Sequence, residues 1–93
     1  MVDGSTVLKI PDAVLMRNVH DEVVLLDMVS EQYFGLNAVG SCVLGAIEGG
    51  ADLDGAIAAV IASFDASENQ IDADVRALVD DLVSNGLLVA MST

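Results

Sequence analysis

The sequence is 93 residues long and 54% apolar, enough for one compact core and no second domain. Its 15 acidic residues face only Lys9, Arg17 and Arg76, a formal net charge of −12 that disfavours duplex nucleic acid and favours a cationic partner. Apolar runs such as Val23–Leu26 and Ala56–Ala62 are far short of the ~20 residues of a membrane span, no secretory signal opens the chain, and Cys42 has no second cysteine to pair with; a cytoplasmic setting with no membrane partner is expected.

Up to Leu36, short Val- and Leu-rich runs alternate with turn residues. Val14–Val19 and Val23–Met28 read as strands separated by His20-Asp21-Glu22, and Ser30-Glu31-Gln32 separates the second run from Tyr33–Leu36. The pattern predicts a three-stranded antiparallel meander. With Phe34 and Leu36 toward the core, period two turns Tyr33 and Gly35 to the other face, where Gly35 admits a second backbone.

From Asn37 onward the period becomes helical. Asn37 caps a helix carrying Val39, Val43, Leu44 and Ile47 and ending at Gly49-Gly50. Asp52 caps a second helix with Leu53, Ile57, Val60, Ile61 and Phe64 on one stripe, ending near Ser63. Ser67 and Gln70 stand at capping-box spacing before a third helix striped by Ile71, Val75, Leu78 and Leu82 and stopped by Asn85-Gly86. Leu87-Leu88-Val89 return to the core as a short extended tail, and Met1–Ser5 and Ala90–Thr93 are expected to fray. Strands followed by three closely spaced helices describe one α+β domain, winged-helix-like, over residues 1–93 with its core between 14 and 89.

No combination of residues carries catalysis. Cys42 and His20 fall on different elements without a surrounding motif, and each reads as structural. In the acidic stretch Asp65–Asp72 the sixth position of a calcium loop, which wants glycine, is Gln70, and the twelfth, which wants a bidentate Glu, is Arg76. Asp80 and Asp81 are sequential on a helix and point apart. Ser41 lies in Gly40-Ser41-Cys42, without the Asp-Ser-Leu context of a phosphopantetheine-accepting carrier. Neither an enzyme nor a metal or organic cofactor is expected.

The edge strand offers a different chemistry. An unpaired strand presents N–H and C=O groups that an extended peptide completes by β-augmentation, while pockets between it and the third helix select side chains. Tyr33 and exposed apolar residues such as Val79 and Val83 are candidates to receive those side chains; the pattern alone favours the plainer reading, in which Val79 and Val83 only widen the core stripe and Tyr33 is an ordinary strand aromatic.

Leu26-Asp27 followed by Tyr33-Phe34-Gly35-Leu36-Asn37-Ala38-Val39-Gly40 resembles the PqqD-like family, the precursor-peptide recognition elements. Gly49-Gly50, the Leu53–Phe64 helix, Asp74-Val75 with Leu78 and Leu82, and Gly86-Leu87-Leu88 continue the resemblance over Val14–Val89, with Leu44 standing where relatives often carry tryptophan. The resemblance implies a winged helix-turn-helix fold that has lost DNA binding and holds the leader of a ribosomal precursor peptide between the third strand and third helix. Carried onto this sequence, the strand wall is Gln32, Tyr33, Phe34, Gly35 and Leu36, and the helical wall is drawn from Asp72, Val75, Arg76, Val79, Asp80 and Val83. The YFGLN segment is most similar to free-standing members of lasso-peptide pathways, which implies a cysteine leader peptidase and a macrocyclase as partners. The member serving pyrroloquinoline quinone synthesis is the near alternative, and a winged-helix regulator or an acidic protein-interaction module are alternatives of another class.

Overall fold

Each helix begins where an oxygen-bearing side chain precedes an apolar stripe. In the computed structural model, which describes residues 4–20 and 22–91, Asn37, Asp52 and Ser67 accept the N–H groups of Gly40 (2.9 Å), Gly55 (2.7 Å) and Gln70 (3.1 Å). These caps satisfy donors that a helix leaves without an internal partner. They open α1 (Ala38–Glu48), α2 (Leu53–Ser63) and α3 (Glu68–Ser84). The capping box at α3 is half formed, because the Gln70 amide reaches forward to Asp74 (2.9 Å) instead of back to Ser67. α1 and α3 stop at Gly50 (φ 97°) and Gly86 (φ 76°), left-handed positions that glycine takes without Cβ strain. Beyond them Ala51 and Leu87 donate to Ala46 and Leu82, closing both ends in the same helix-terminating motif.

Among the described residues five strands precede and follow the helices: β1 (Val7–Lys9), β2 (Val14–Val19), β3 (Glu22–Asp27), β4 (Gln32–Gly35) and, after α3, β5 (Val89–Met91). β2, β3 and β4 form the expected antiparallel meander in that spatial order, with β3 and β4 each beginning and ending one residue earlier than the sequence pattern suggests. Asp21 of the first turn lies outside the described residues, and its neighbour His20 sits at φ 51°.

The two-stranded pairing of β1 with β5 corrects the expectation of frayed ends. Val7, Leu8 and Lys9 face Met91, Ala90 and Val89. Gly4 and Thr6 accept the N–H groups of Asp54 and Leu53, so the chain ahead of β1 is tied to the start of α2. Of the expected frayed segments, Met1–Asp3 and Ser92–Thr93 lie outside the described residues. Three-residue strands with one buried side chain, Leu8, carry too little periodicity to stand out in a sequence.

The core gathers Leu8, Val14, Val23, Leu25 and Leu36 from the strands, the stripes of all three helices, and Leu87 and Leu88 from the tail. Ser41 fastens α1 to the sheet: its hydroxyl accepts the Val23 N–H (2.8 Å) and donates to the Leu36 carbonyl (3.5 Å). Among the described residues no polar or charged side chain is buried, and no helix is long and apolar enough to cross a membrane.

Candidate functional site

Among the described residues β4 is paired on one side only, and the phase of its ladder determines what the other side presents. Met28 donates to Ala13 (2.8 Å) across β2–β3, and Leu36 donates to Val23 (2.9 Å) across β3–β4. In an antiparallel sheet the hydrogen-bonded pairs alternate, so Phe34 with Leu25 and Gln32 with Asp27 continue the inward ladder. The N–H and C=O groups of Tyr33 and Gly35 therefore point to the open edge. This follows from backbone geometry alone.

The two faces of the same strand differ. Toward the core, Phe34 is half-buried against the cluster and Leu36 is fully inside. Toward solvent, Tyr33 is 75% exposed, as the period-two reading requires, and Gly35 is open with nothing within 4 Å of where a Cβ would stand. Gln32 is exposed at the strand start.

α3 approaches this edge through Leu78. A Cβ on Gly40 would meet the Leu36 Cβ at 3.1 Å and the Leu78 side chain at 3.4 Å, so the residue just after β4, α1's first turn and α3 converge there. Leu78 is half-buried and flanked by exposed Asp74 and Asp81, each one helical turn away. Leu36, Gly40 and Leu78 thus form an apolar junction where the end of β4 meets α1 and α3, with Asp74 and Asp81 exposed beside it on α3.

The helical residues singled out from sequence distribute differently. Val75 and Val79 are both 0% exposed in the core, which corrects the expectation that Val79 is an exposed apolar residue: with Ile71 and Leu82 it forms the inward stripe. Asp72 and Arg76 lie on the flank toward α2, where the Arg76 Nε donates to Asp72 (2.7 Å) and a terminal nitrogen stands 3.8 Å from Asp54 in the first turn of α2. Successive residues turn by about 100°, so Arg76 and Leu78 are on nearly opposite flanks. Val83 packs half-buried against the core, and Asp80 is exposed. Leu78 was hidden in the sequence because it shares the period of the core stripe; no separate signal marks it.

The turn between β3 and β4 is fixed by Asp27, whose carboxylate accepts the N–H groups of Val29 (2.9 Å) and Ser30 (3.4 Å). The Val29 bond above all holds the Asp27 carboxyl below the usual carboxylate range, outweighing the opposing effect of desolvation. Glu31 occupies the left-handed region at φ 61°. This turn projects Met28 and Val29 into solvent and borders a depression of about 400 Å³ lined by Leu26, Met28, Glu31 and Tyr33. A second depression, of about 420 Å³, lies beyond the β2 side of the sheet among β1, β2 and the end of α1, away from β4. Among the described residues no group of His, Cys, Asp and Glu is arranged to hold a metal ion.

The model of the coenzyme PQQ synthesis protein D family (PqqD) matches residues 22–88. The chain belongs to the PqqD family. That match spans β3 to the end of the buried tail and leaves β1, β2 and β5 of this PqqD-family chain outside it. Two solved structures are similar over most of their length. The first, TbiB1 in complex with the TbiA(β) leader peptide, is 33% identical, with a TM-score of 0.82 over 91% of this chain and 99% of that one. The second, a lasso peptide synthetase B1 complexed with the leader peptide, is 20% identical, with a TM-score of 0.73 over 89% and 98%, and is a likeness of fold. Comparison with curated proteins yields no match.

Proposed function

We propose that this PqqD-family chain captures the leader segment of a ribosomally synthesised precursor peptide, in a lasso-peptide pathway, as a strand added to β4 beside α3. The observation that carries the reading is the open β4 edge, with the outward groups of Tyr33 and Gly35, set against the apolar junction of Leu36, Gly40 and Leu78. Main-chain bonds to that edge supply affinity, and side chains entering the cleft supply selectivity. The similarity to TbiB1 adds the class of ligand. The strand wall is Gln32–Leu36; on the helix we place the peptide against Leu78 and the rim of Asp74 and Asp81, with Val75 and Val79 supporting from within and Asp72, Arg76, Asp80 and Val83 away from the peptide.

The chain itself makes and breaks no bonds in this reading. It raises the effective concentration of the precursor at a leader peptidase and a macrocyclase, which requires that peptide and enzyme be engaged together. The family's description favours a second pathway, in which the captured peptide is the precursor of pyrroloquinoline quinone.

Fluorescence polarisation with the labelled leader encoded beside this chain's own gene tests capture, with a scrambled leader as control. Saturable binding at micromolar or tighter affinity, lost on scrambling, is expected. A folded protein that does not distinguish the two peptides refutes it. Cleavage of the full precursor by the partner peptidase, with and without this chain, tests delivery, and an unchanged rate refutes that part alone.

A further inference from the structure

The depression beside Tyr33 lies on the solvent face of the sheet, opposite the face that carries Leu25 and Phe34. The pairing register sets Leu15, Leu26 and Tyr33 in one row across that face. Leu26 and Met28 give the depression aliphatic walls, the exposed Tyr33 ring gives it an aromatic one, and the exposed Glu31 closes its end with a carboxylate. Apolar walls alone would accept any hydrophobic side chain. A carboxylate beside an aromatic face selects for a long cation, whose methylenes lie along the walls while its head meets ring and carboxylate.

We infer that the depression is a specificity subsite for one arginine or lysine side chain of the bound peptide. The inference rests on the added-strand reading, which supplies the position from which the side chain enters. In a strand paired to the outward groups of Tyr33, the residue opposite Tyr33 lies on the same face about 5 Å away, with Leu26 on the far side of the ring. A short side chain at that position stops at the ring; lysine or arginine passes across it to Glu31.

The charges around the depression agree. Asp27, the nearest other carboxylate along the turn, takes the N–H groups of Val29 and Ser30 on its Oδ1 and, next to Leu26 on β3, belongs to the opposite face, which leaves Glu31 as the acceptor on this one. The sheet's own cation, Arg17, stands on β2, in register with Val24 and two strands from the edge, about 10 Å between backbones. Glu31 is held in place by its own backbone, whose N–H donates to Asp27 (2.7 Å).

The test is a positional scan of the TbiA(β) leader peptide: the parent, and variants carrying arginine, glutamine or leucine at each position in turn, measured by competition against the labelled parent. We expect one position at which arginine binds about fivefold more tightly than either glutamine or leucine, with the advantage shrinking at 0.5 M salt. In Glu31→Gln and in Tyr33→Leu that advantage, read within each variant as arginine against glutamine at the same position, falls below about twofold. Both side chains are exposed, so the variants keep the fold. If the parent binds but no position favours arginine, or the preference survives in both variants, the subsite is overturned and peptide capture stands. If no member of the scan binds the folded protein, the capture of such leaders fails, and the subsite with it.

Discussion

Proline placed at adjacent positions of β4 separates the inner ladder from the open edge. Gly35 has its N–H directed outward, no positive φ, and nothing within 4 Å of its Cβ position. Gly35→Pro therefore leaves the β3–β4 ladder whole and also reduces the freedom of the unfolded chain, so stability is expected to change by less than about 1 kcal/mol. For peptide binding it deletes one donor, worth about 1 kcal/mol net, and sets a ring where an added strand must approach to about 4.8 Å. Affinity should fall at least about tenfold. Phe34 has the opposite phase, with its N–H directed to Leu25. Phe34→Pro is expected to cost about 2 kcal/mol more than Phe34→Ala, a comparison that removes the loss of the ring and leaves the loss of the ladder bond. Urea denaturation measures the stabilities and fluorescence polarisation the affinities. If Gly35→Pro destabilises as much as Phe34→Pro, the ladder phase is wrong; if it binds leader within twofold of the parent protein, β4 is not the docking edge.

The two neighbouring residues Leu78 and Val79 should respond in opposite ways to a carboxylate. Val79→Asp places it at a site with no exposure and is expected to unfold the chain by circular dichroism, whereas Leu78→Asp keeps the fold and loses peptide; a folded Val79→Asp protein contradicts the packing. Because the folded Asp27 pKa is lowered, its contribution to stability is complete above the unfolded carboxylate range and disappears as pH falls through the folded value. The stability difference between the parent and Asp27→Ala is thus expected to be constant from about pH 7 to 5 and to narrow as pH falls below about 4, and a gap of unchanged size throughout contradicts it. Removing residues after Leu88 deletes β5 and should cost about 1–3 kcal/mol in thermal or urea unfolding, and an unchanged midpoint argues against the β1–β5 pairing.

The helices and the meander were legible from local signals. Asn37, Asp52 and Ser67 each precede an apolar stripe, and the Gly49-Gly50 and Asn85-Gly86 stops stand where α1 and α3 end. The exposure of Tyr33 over half-buried Phe34 follows from alternation alone. The closure of β1 on β5 was not legible, since a three-residue pairing between distant segments has no local period. At the candidate site the strand side was readable and the helix side was not. Helical period ranks Val75, Leu78, Val79 and Leu82 as one stripe, but which border of it faces β4 depends on how α3 rolls against α1 and α2, a property of packed layers that the sequence of α3 does not contain.

The pairing of β1 with β5 also bears on the order in which the molecule assembles. Gly4 and Thr6 tie the chain ahead of β1 to the start of α2, yet the partner strand of β1 lies beyond α3. The meander and the successive helices close over short loops at small entropic cost, whereas this contact encloses nearly the whole polypeptide. By that argument it is expected to form last in folding and to open first in unfolding, with the meander and the three helices in place before the β1–β5 sheet is complete.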